Sequence, residues 1–369
     1  MKTPAVIAAL GFQVAVLLFM AVPREWTLHF GREVYLRTAP VDPRDVMRGD
    51  YVRLNYDISI VPRDVCRDGL AAVMANPPAE SDRRWRSRGV WGGFEQSLLP
   101  PDTPVFAVLK PGEGDVAVLD YLTDRKPAQG LYLRGRLESL TEGLARVRYG
   151  LEAYFMQQGE ALELERSQAG TTSRAPLEMR VAVGPGGLAV LKGHRRGPLE
   201  IGLDLQRRPR AAGSAQPWEQ GEVVVAATLS LRNASDTNLA IVALPEGRSF
   251  ALVPDLRWGT NAWRWVGADL PPPAPSPANV ILLKPGESHR TTIGLTNSAW
   301  WVVPVDAAGA NRLASAQPLQ NLTNRWPPTR FRFEYRPPPP AAGAGLPHAD
   351  AIWPGRLLSP AFSPGGNVD

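Results

Sequence analysis

Three hydrophobic patterns succeed one another along the chain. Residues 4 to 22 are nineteen positions without a charge, with Gln13 the one strongly polar member. That length and apolarity suit a helix crossing about 30 Å of bilayer hydrocarbon. Beyond Gly31 the apolar period falls to two, the mark of half-buried strands, and the first such strand is predicted over residues 33 to 38. Asp42 is then placed to cap a single helical turn, Pro43 to start it, Asp45 to sit near its positive dipole end and Gly49 to stop it. From residue 50, Val52, Leu54, Tyr56, Ile58 and Ile60 share one face, while Tyr51, Arg53, Asn55 and Asp57 share the other. One continuous strand is predicted there. Further strands are predicted over 104 to 110, 115 to 121, 131 to 137, 144 to 155, 177 to 183 and 187 to 192, the last two joined by Gly184-Pro-Gly-Gly187. Gly150, inside such a run, predicts a bulge or a close backbone contact.

The third pattern lies beyond residue 220, where short strands alternate with Pro, Gly and Asn turns. A long strand over 222 to 233 is followed by strands over 239 to 244, 248 to 253, 279 to 283, 288 to 295 and 330 to 336, a spacing that predicts an immunoglobulin-like β-sandwich over 221–336. The segments between these regions carry breakers. Residues 61 to 101 offer a short helix over 63 to 74, but Asn76-Pro-Pro, the arginine run from Arg83 to Arg88 and Gly92-Gly93 read as a loop insertion. A short helix is predicted over 159 to 166. Residues 204 to 220, with Arg-Arg-Pro-Arg and Ala-Ala-Gly-Ser, have a linker's composition. The stretch 337–369 opens with four prolines and predicts a disordered Pro/Gly-rich tail. The fold class expected is mainly β: a membrane anchor (1–23), a β-rich first domain (24–203), then the sandwich.

Two blocks bring a family into view. Gly49-Asp50-Tyr51, Leu54 and Tyr56, preceded by Asp42-Pro43-Arg44, form a Gly-Asp-Tyr-x-x-Leu-x-Tyr pattern, and Tyr149-Gly-Leu-Glu-Ala-Tyr-Phe155 forms a second block. Both resemble the signature of the GDYXXLXY protein family, and the resemblance extends over residues 1 to 203. It implies a membrane-anchored bacterial protein and a polytopic inner-membrane protein as its partner. It does not supply a reaction.

Composition narrows the chemistry. With 44% hydrophobic and 21% charged residues the chain is not disordered as a whole. The net charge of +5 is spread in mixed-sign company, with Arg83-Arg84-Trp85-Arg86 and Arg207-Arg208-Pro209-Arg210 the local basic runs, so no nucleic-acid partner is expected. Cys66 is the single cysteine, so no intramolecular disulfide forms and no lipobox cysteine follows the apolar segment. Phe19 and Met20 do not supply the small residues that cleavage after Ala21 requires, which favours an uncleaved anchor contacting lipid through residues 4–22. The four histidines, His29, His194, His289 and His348, show no ligand spacing, and no metal or cofactor is expected.

The candidate functional surface is Asp50, Tyr51, Glu152 and Tyr154, drawn from the two blocks. Two carboxylates can serve as acid and base, which would give an envelope hydrolase or transferase. The structural alternative has Asp50 accept backbone amides or pair with Arg44 or Arg48, Glu152 pair with Arg148, and the tyrosines fill a core. Trp263 and Trp265, on one strand face, suit either a glycan-binding platform or a sandwich core. The reading preferred from sequence is a non-enzymatic, single-pass protein of the bacterial inner membrane, its bulk extracytoplasmic, acting by binding.

Overall fold

The structure is a computed structural model that describes residues 3–39, 51–79, 85–88, 94–112, 115–155, 173–174, 176–209, 222–255, 263–305, 314–322 and 329–365. The described chain is mainly β and divides into two compact units, one formed by Met1–Gln158 with Leu177–Arg195 and the other by Gly159–Pro176 with Arg196–Asp369.

The first unit begins with helix α1 (Thr3–Phe30), which runs well past the apolar stretch read from the sequence and includes Pro23 in its interior. Pro23 has no N–H for the Phe19 carbonyl, but one missing bond does not stop a helix whose other residues keep theirs. Gly31 ends it, donating its N–H to the Thr27 carbonyl at 2.8 Å. Val6–Phe30 is long and apolar enough to cross a membrane, by length and composition. The strands of the chain's first half are β1 (Arg32–Ala39), β2 (Tyr51–Arg53), β3 (Asn55–Tyr56), β4 (Ile60–Pro62), β5 (Trp85–Arg88), β6 (Phe94–Ser97), β7 (Pro104–Pro111), β8 (Ala117–Thr123), β9 (Leu131–Leu140), β10 (Leu144–Arg148), β11 (Ala153–Phe155), β12 (Ser173–Arg174), β13 (Leu177–Val183) and β14 (Ala189–Arg196). All but β12 belong to the first unit. They form a four-stranded sheet in the order β14-β13-β1-β3, a five-stranded sheet in the order β4-β10-β9-β7-β8, and the pairs β11-β2 and β5-β6. Leu36, Tyr56, Leu70, Met74, Leu122 and Met179 are among its fully buried side chains.

Three expectations for this unit change. The single strand expected from residue 50 is broken into β2 and β3, which pair with different partners, followed by a 3-10 turn at Asp57–Ser59 before β4. Alternation survives such breaks because each piece keeps its parity toward the core, so periodicity alone does not reveal them. Residues 61 to 101 are not simply loop. β4 joins the five-stranded sheet, helix α2 (Asp68–Ala75) buries Leu70 and Met74, and Arg86 and Arg88 of the arginine run lie on β5, which pairs with β6. Gly150 has a positive φ of 77° with open space where a Cβ would stand, so it is required by the turn's backbone and not by a close contact. The expected turn at 42–48 and the helix over 159–166 lie outside the described residues.

The second unit holds β12, β15 (Leu199–Pro209), β16 (Glu222–Asn233), β17 (Leu239–Val242), β18 (Phe250–Pro254), β19 (Trp263–Trp265), β20 (Val280–Leu283), β21 (Ser288–Gly294), β22 (Val302–Pro304), β23 (Phe331–Tyr335) and β24 (Leu357–Leu358). Its sheets are β12-β15-β16-β21, β17-β20, β18-β23-β24 and β19-β22, all antiparallel, and they share one apolar core. Residues 204 to 209, expected as linker, continue β15, which pairs with β16 from Leu199↔Asn233 to Pro209↔Glu222. Pairing needs only main-chain groups, and Pro209, which lacks a donor, stands at the strand's end.

The tail is the largest correction. Residues 337–369 were expected to be disordered, yet β24 pairs with β23, and Trp353, Leu357 and Phe362 are buried in the core. Ser359 alone exchanges 2.8 and 2.9 Å bonds with the Phe333 main chain, and its carbonyl accepts from Arg332 at 2.6 Å. Arg332 also pairs with Asp255 at 3.1 Å, both nearly enclosed. Proline richness removes backbone donors, and so removes the need for ladder partners; it does not stop isolated large apolar side chains from filling a core.

Candidate functional site

Each signature block is the other's partner. β2 and β11 are antiparallel, with Arg53 opposite Ala153, Val52 opposite Tyr154 and Tyr51 opposite Phe155. The Leu54 N–H extends this pairing by donating to the Glu152 carbonyl at 2.8 Å. Leu54, Tyr56, Tyr149 and Leu151 are buried, as the parity of the first block requires.

The two buried phenols then cross between the blocks. Tyr56 donates its hydroxyl to the Leu151 carbonyl at 2.9 Å, and Tyr149 donates to the Ile58 carbonyl at 2.7 Å. Between them, Tyr149-Gly-Leu-Glu152 turns back on itself, and the Tyr149 N–H donates to Glu152 Oε1 at 2.5 Å. A carboxylate accepting a main-chain N–H is a charge-assisted bond, stronger than a neutral one. Burial first, and the Glu152 carboxylate second, push both phenols well above the usual tyrosine range. They are therefore neutral donors at physiological pH. The three side chains fix three main-chain groups, the Leu151 and Ile58 carbonyls and the Tyr149 N–H, in two segments about a hundred residues apart in sequence, which is a clamp.

The candidate residues fall differently within it. Glu152 is in the clamp, bonded to its own turn and not to Arg148, which pairs with Asp102 at 2.8 Å. Tyr154, on the paired strand, sets its ring edge-to-face against His194 of β14, with centroids 5.7 Å apart. Tyr51 lies opposite Phe155 by backbone register. Asp50 lies outside the described residues, as do Trp258 and Trp326. His194 was not singled out from sequence, and its lone position on a polar strand carries no signal to find it by. A charged group was also missed: Glu178 of β13 is buried between Arg37 of β1, at 3.1 Å, and Arg195 of β14, at 2.8 Å, and the Arg195 guanidinium lies 3.6 Å above the Tyr35 ring. It ties three adjacent strands together.

Cys66 is buried, and burial first, with Asp64 second, pushes its thiol up to about 11, so it stays protonated and a poor nucleophile. Among the described residues no group of three or more His, Cys, Asp or Glu is arranged to hold a metal ion.

In the second unit, Trp263 and Trp265 flank Arg264 on β19, which pairs with β22. Trp265 stacks on Trp300 at 5.2 Å and 15°, and donates its indole N–H to the Ala299 carbonyl at 2.8 Å. Trp300 in turn meets Phe333 edge-on at 5.8 Å, and Phe333 stacks on Phe362 at 5.4 Å. Trp263 packs against the same core. This is a ladder of rings continuous with the interior.

No curated protein and no solved structure matches the chain. A family model does match, over residues 13–193, and its end falls within β14, close to where the first unit ends. With both signature blocks inside that span and β2 of one paired with β11 of the other, residues 13–193 of this chain belong to the GDYXXLXY protein family.

Proposed function

We propose that this chain is a non-enzymatic membrane protein, anchored by α1, whose two β-rich units lie outside the cytoplasm and bind or assemble with a polytopic partner in the same membrane. The observation that carries this reading is the contrast between α1 and the signature clamp. Phe12, Leu17, Phe19 and Met20 of α1 are exposed apolar side chains, which in water would be costly and in lipid is ordinary. In the clamp, Glu152, the described carboxylate that suggested acid/base chemistry, is engaged with the main chain. Lys2 ahead of the span favours an inside N-terminus and Arg24 beyond it opposes one, so the outside placement rests on the large part of the chain that follows the span. The second unit is read as an immunoglobulin-like sandwich, supported by its antiparallel sheets around a common core.

Removal of residues 1 to 23 should release the protein from membranes to the soluble fraction; retention would require a second anchor. Glu152→Gln, whose amide oxygen still accepts from Tyr149, should complement a gene deletion, as should Asp50→Asn. Failure of stably folded variants to complement would restore the enzymatic reading. Crosslinking and co-purification from membranes, with the anchor intact, should capture a multi-span protein. Capture of soluble proteins alone would overturn the partner assignment.

A further inference from the structure

The junction between α1 and the first sheet leaves no slack. One residue, Gly31, separates the helix from β1, and its N–H is bonded to Thr27. Thr27 is 4% exposed, and it is packed so tightly beneath Gly184 that a Cβ there would stand 2.7 Å from its hydroxyl. The β13-β14 turn, Gly184 to Gly187, is therefore held at the depth of the helix's last two turns.

Helix geometry sets that depth. If residues 4 to 22 fill the hydrocarbon, a rise of 1.5 Å per residue places Trp26 about 6 Å beyond it and Phe30 about 12 Å beyond it. Headgroups occupy about 5–8 Å on each side, so Trp26 falls within that layer, Thr27 at its outer boundary and Phe30 about 4 Å beyond it. Their rings touch, with centroids 4.6 Å apart, and both remain open, at 60% and 71% exposure. At 100° per residue, Phe12, Phe19, Trp26 and Phe30 fall within an arc of about 40° on α1. The open aromatic face is thus continuous with the face that meets lipid. Around the helix end the charges are mixed but favour cations. Arg24 adjoins Glu25 on the helix, Arg32 opens β1, and Arg180 and Lys192 both approach Glu33, giving four cations to two carboxylates. Tryptophan at the interface and cations toward anionic headgroups are the usual preferences of such a position.

We propose that the first unit rests directly on an anionic bilayer surface, with Trp26 and the exposed tip of the β13-β14 turn at Pro185 as its contact. This rests on the reading of α1 as a membrane anchor. The test uses the full chain in nanodiscs containing phosphatidylglycerol, with Cys66→Ser and one nitroxide introduced at Leu17→Cys or Pro185→Cys. Accessibility to oxygen and to a water-soluble nickel chelate reports depth. The label at position 17 should be reached by oxygen and shielded from the chelate, and the label at 185 should be shielded from the chelate severalfold relative to a free nitroxide in water. Position 17 shielded while 185 matches the free nitroxide would overturn the surface contact and leave the anchor standing. Chelate access at position 17 would overturn the anchor and the contact with it. Discs of zwitterionic lipid should raise chelate access at 185, and no change would remove the charge preference from the proposal.

Discussion

Aromatic residues mark both halves of this chain, and the two halves use them in opposite ways. In the first unit Tyr56 and Tyr149 act through their hydroxyls, each bonded to a carbonyl of the other's segment. In the second, Trp265, Trp300, Phe333 and Phe362 act through their rings, face on face or edge on face, and the one indole bond from Trp265 goes to a local loop. The hydroxyl clamp specifies register between two distant segments, because a hydrogen bond fails within a few tenths of an ångström. The ring ladder supplies buried area and tolerates small shifts. This difference explains why a motif is legible in the first unit and not in the second: directional bonds fix residue type and spacing, whereas area can be delivered from many positions.

The contrast can be broken most severely at the ladder's centre. Trp300→Ala should destabilise the second unit by about 3–5 kcal/mol, the range for deleting a buried aromatic, whereas Trp265→Phe, which keeps a ring, should cost far less; denaturant unfolding would read both. Equal losses would mean that the indole bond, not stacking, holds the ladder.

Alkaline pH sharpens the comparison next. Both clamp phenols have folded-state values above the unfolded value of about 10, so their contribution is complete below pH 10 and is lost as pH rises, when the unfolded chain sheds its protons first. Each phenol should remove about 1.4 kcal/mol per pH unit in that window. Tyr335 of the second unit is also raised by burial, to about 12, but its hydrogen bonding with Val242 works against the shift. With two such phenols against one, the first unit should lose stability about twice as steeply between pH 10 and 11, as followed by chemical denaturation at pH 8 to 11. A parallel decline in both units would mean that the two clamp phenols are not both held neutral in the folded state.

Removing the hydroxyls alone isolates their share. Tyr56→Phe and Tyr149→Phe keep the rings and should each cost about 1–3 kcal/mol, the range for stranding a buried hydrogen-bonding partner. If the clamp acts as one device the double variant should depart from additivity; strict additivity would indicate two independent bonds. The smallest effect should come from Gly150→Ala, about 1–2 kcal/mol for forcing a left-handed conformation on a residue with a side chain, with no steric part because the space is open. A larger loss would show that the turn, and not the phenols, governs the site.

Much of this was legible in the chain. Leu54 and Tyr56 announced burial by alternation, the 177–183 and 187–192 hairpin by its glycine turn, and α1 by its uninterrupted apolarity. Glu152 did not announce its partner: Arg148, the nearest cation on its strand, was the natural expectation, but Asp102 claims it across the sheet. His194 beside Tyr154, and Glu178 between two arginines, depend on strands far apart in sequence and have no local signature.

By itself, the sequence determined the parity of each strand, the apolar span and the pairing chemistry available to each block, because these follow from side-chain type and spacing of neighbours along the chain. Only the tertiary structure decided which blocks meet, and that the Pro-rich segment returns through Ser359, Leu357 and Phe362 to complete a core. The physical reason is the same in both cases. Hydrogen-bond geometry and buried area are satisfied by whatever lies nearest in space, and a chain folded back over a hundred residues or more brings together groups that no local pattern relates.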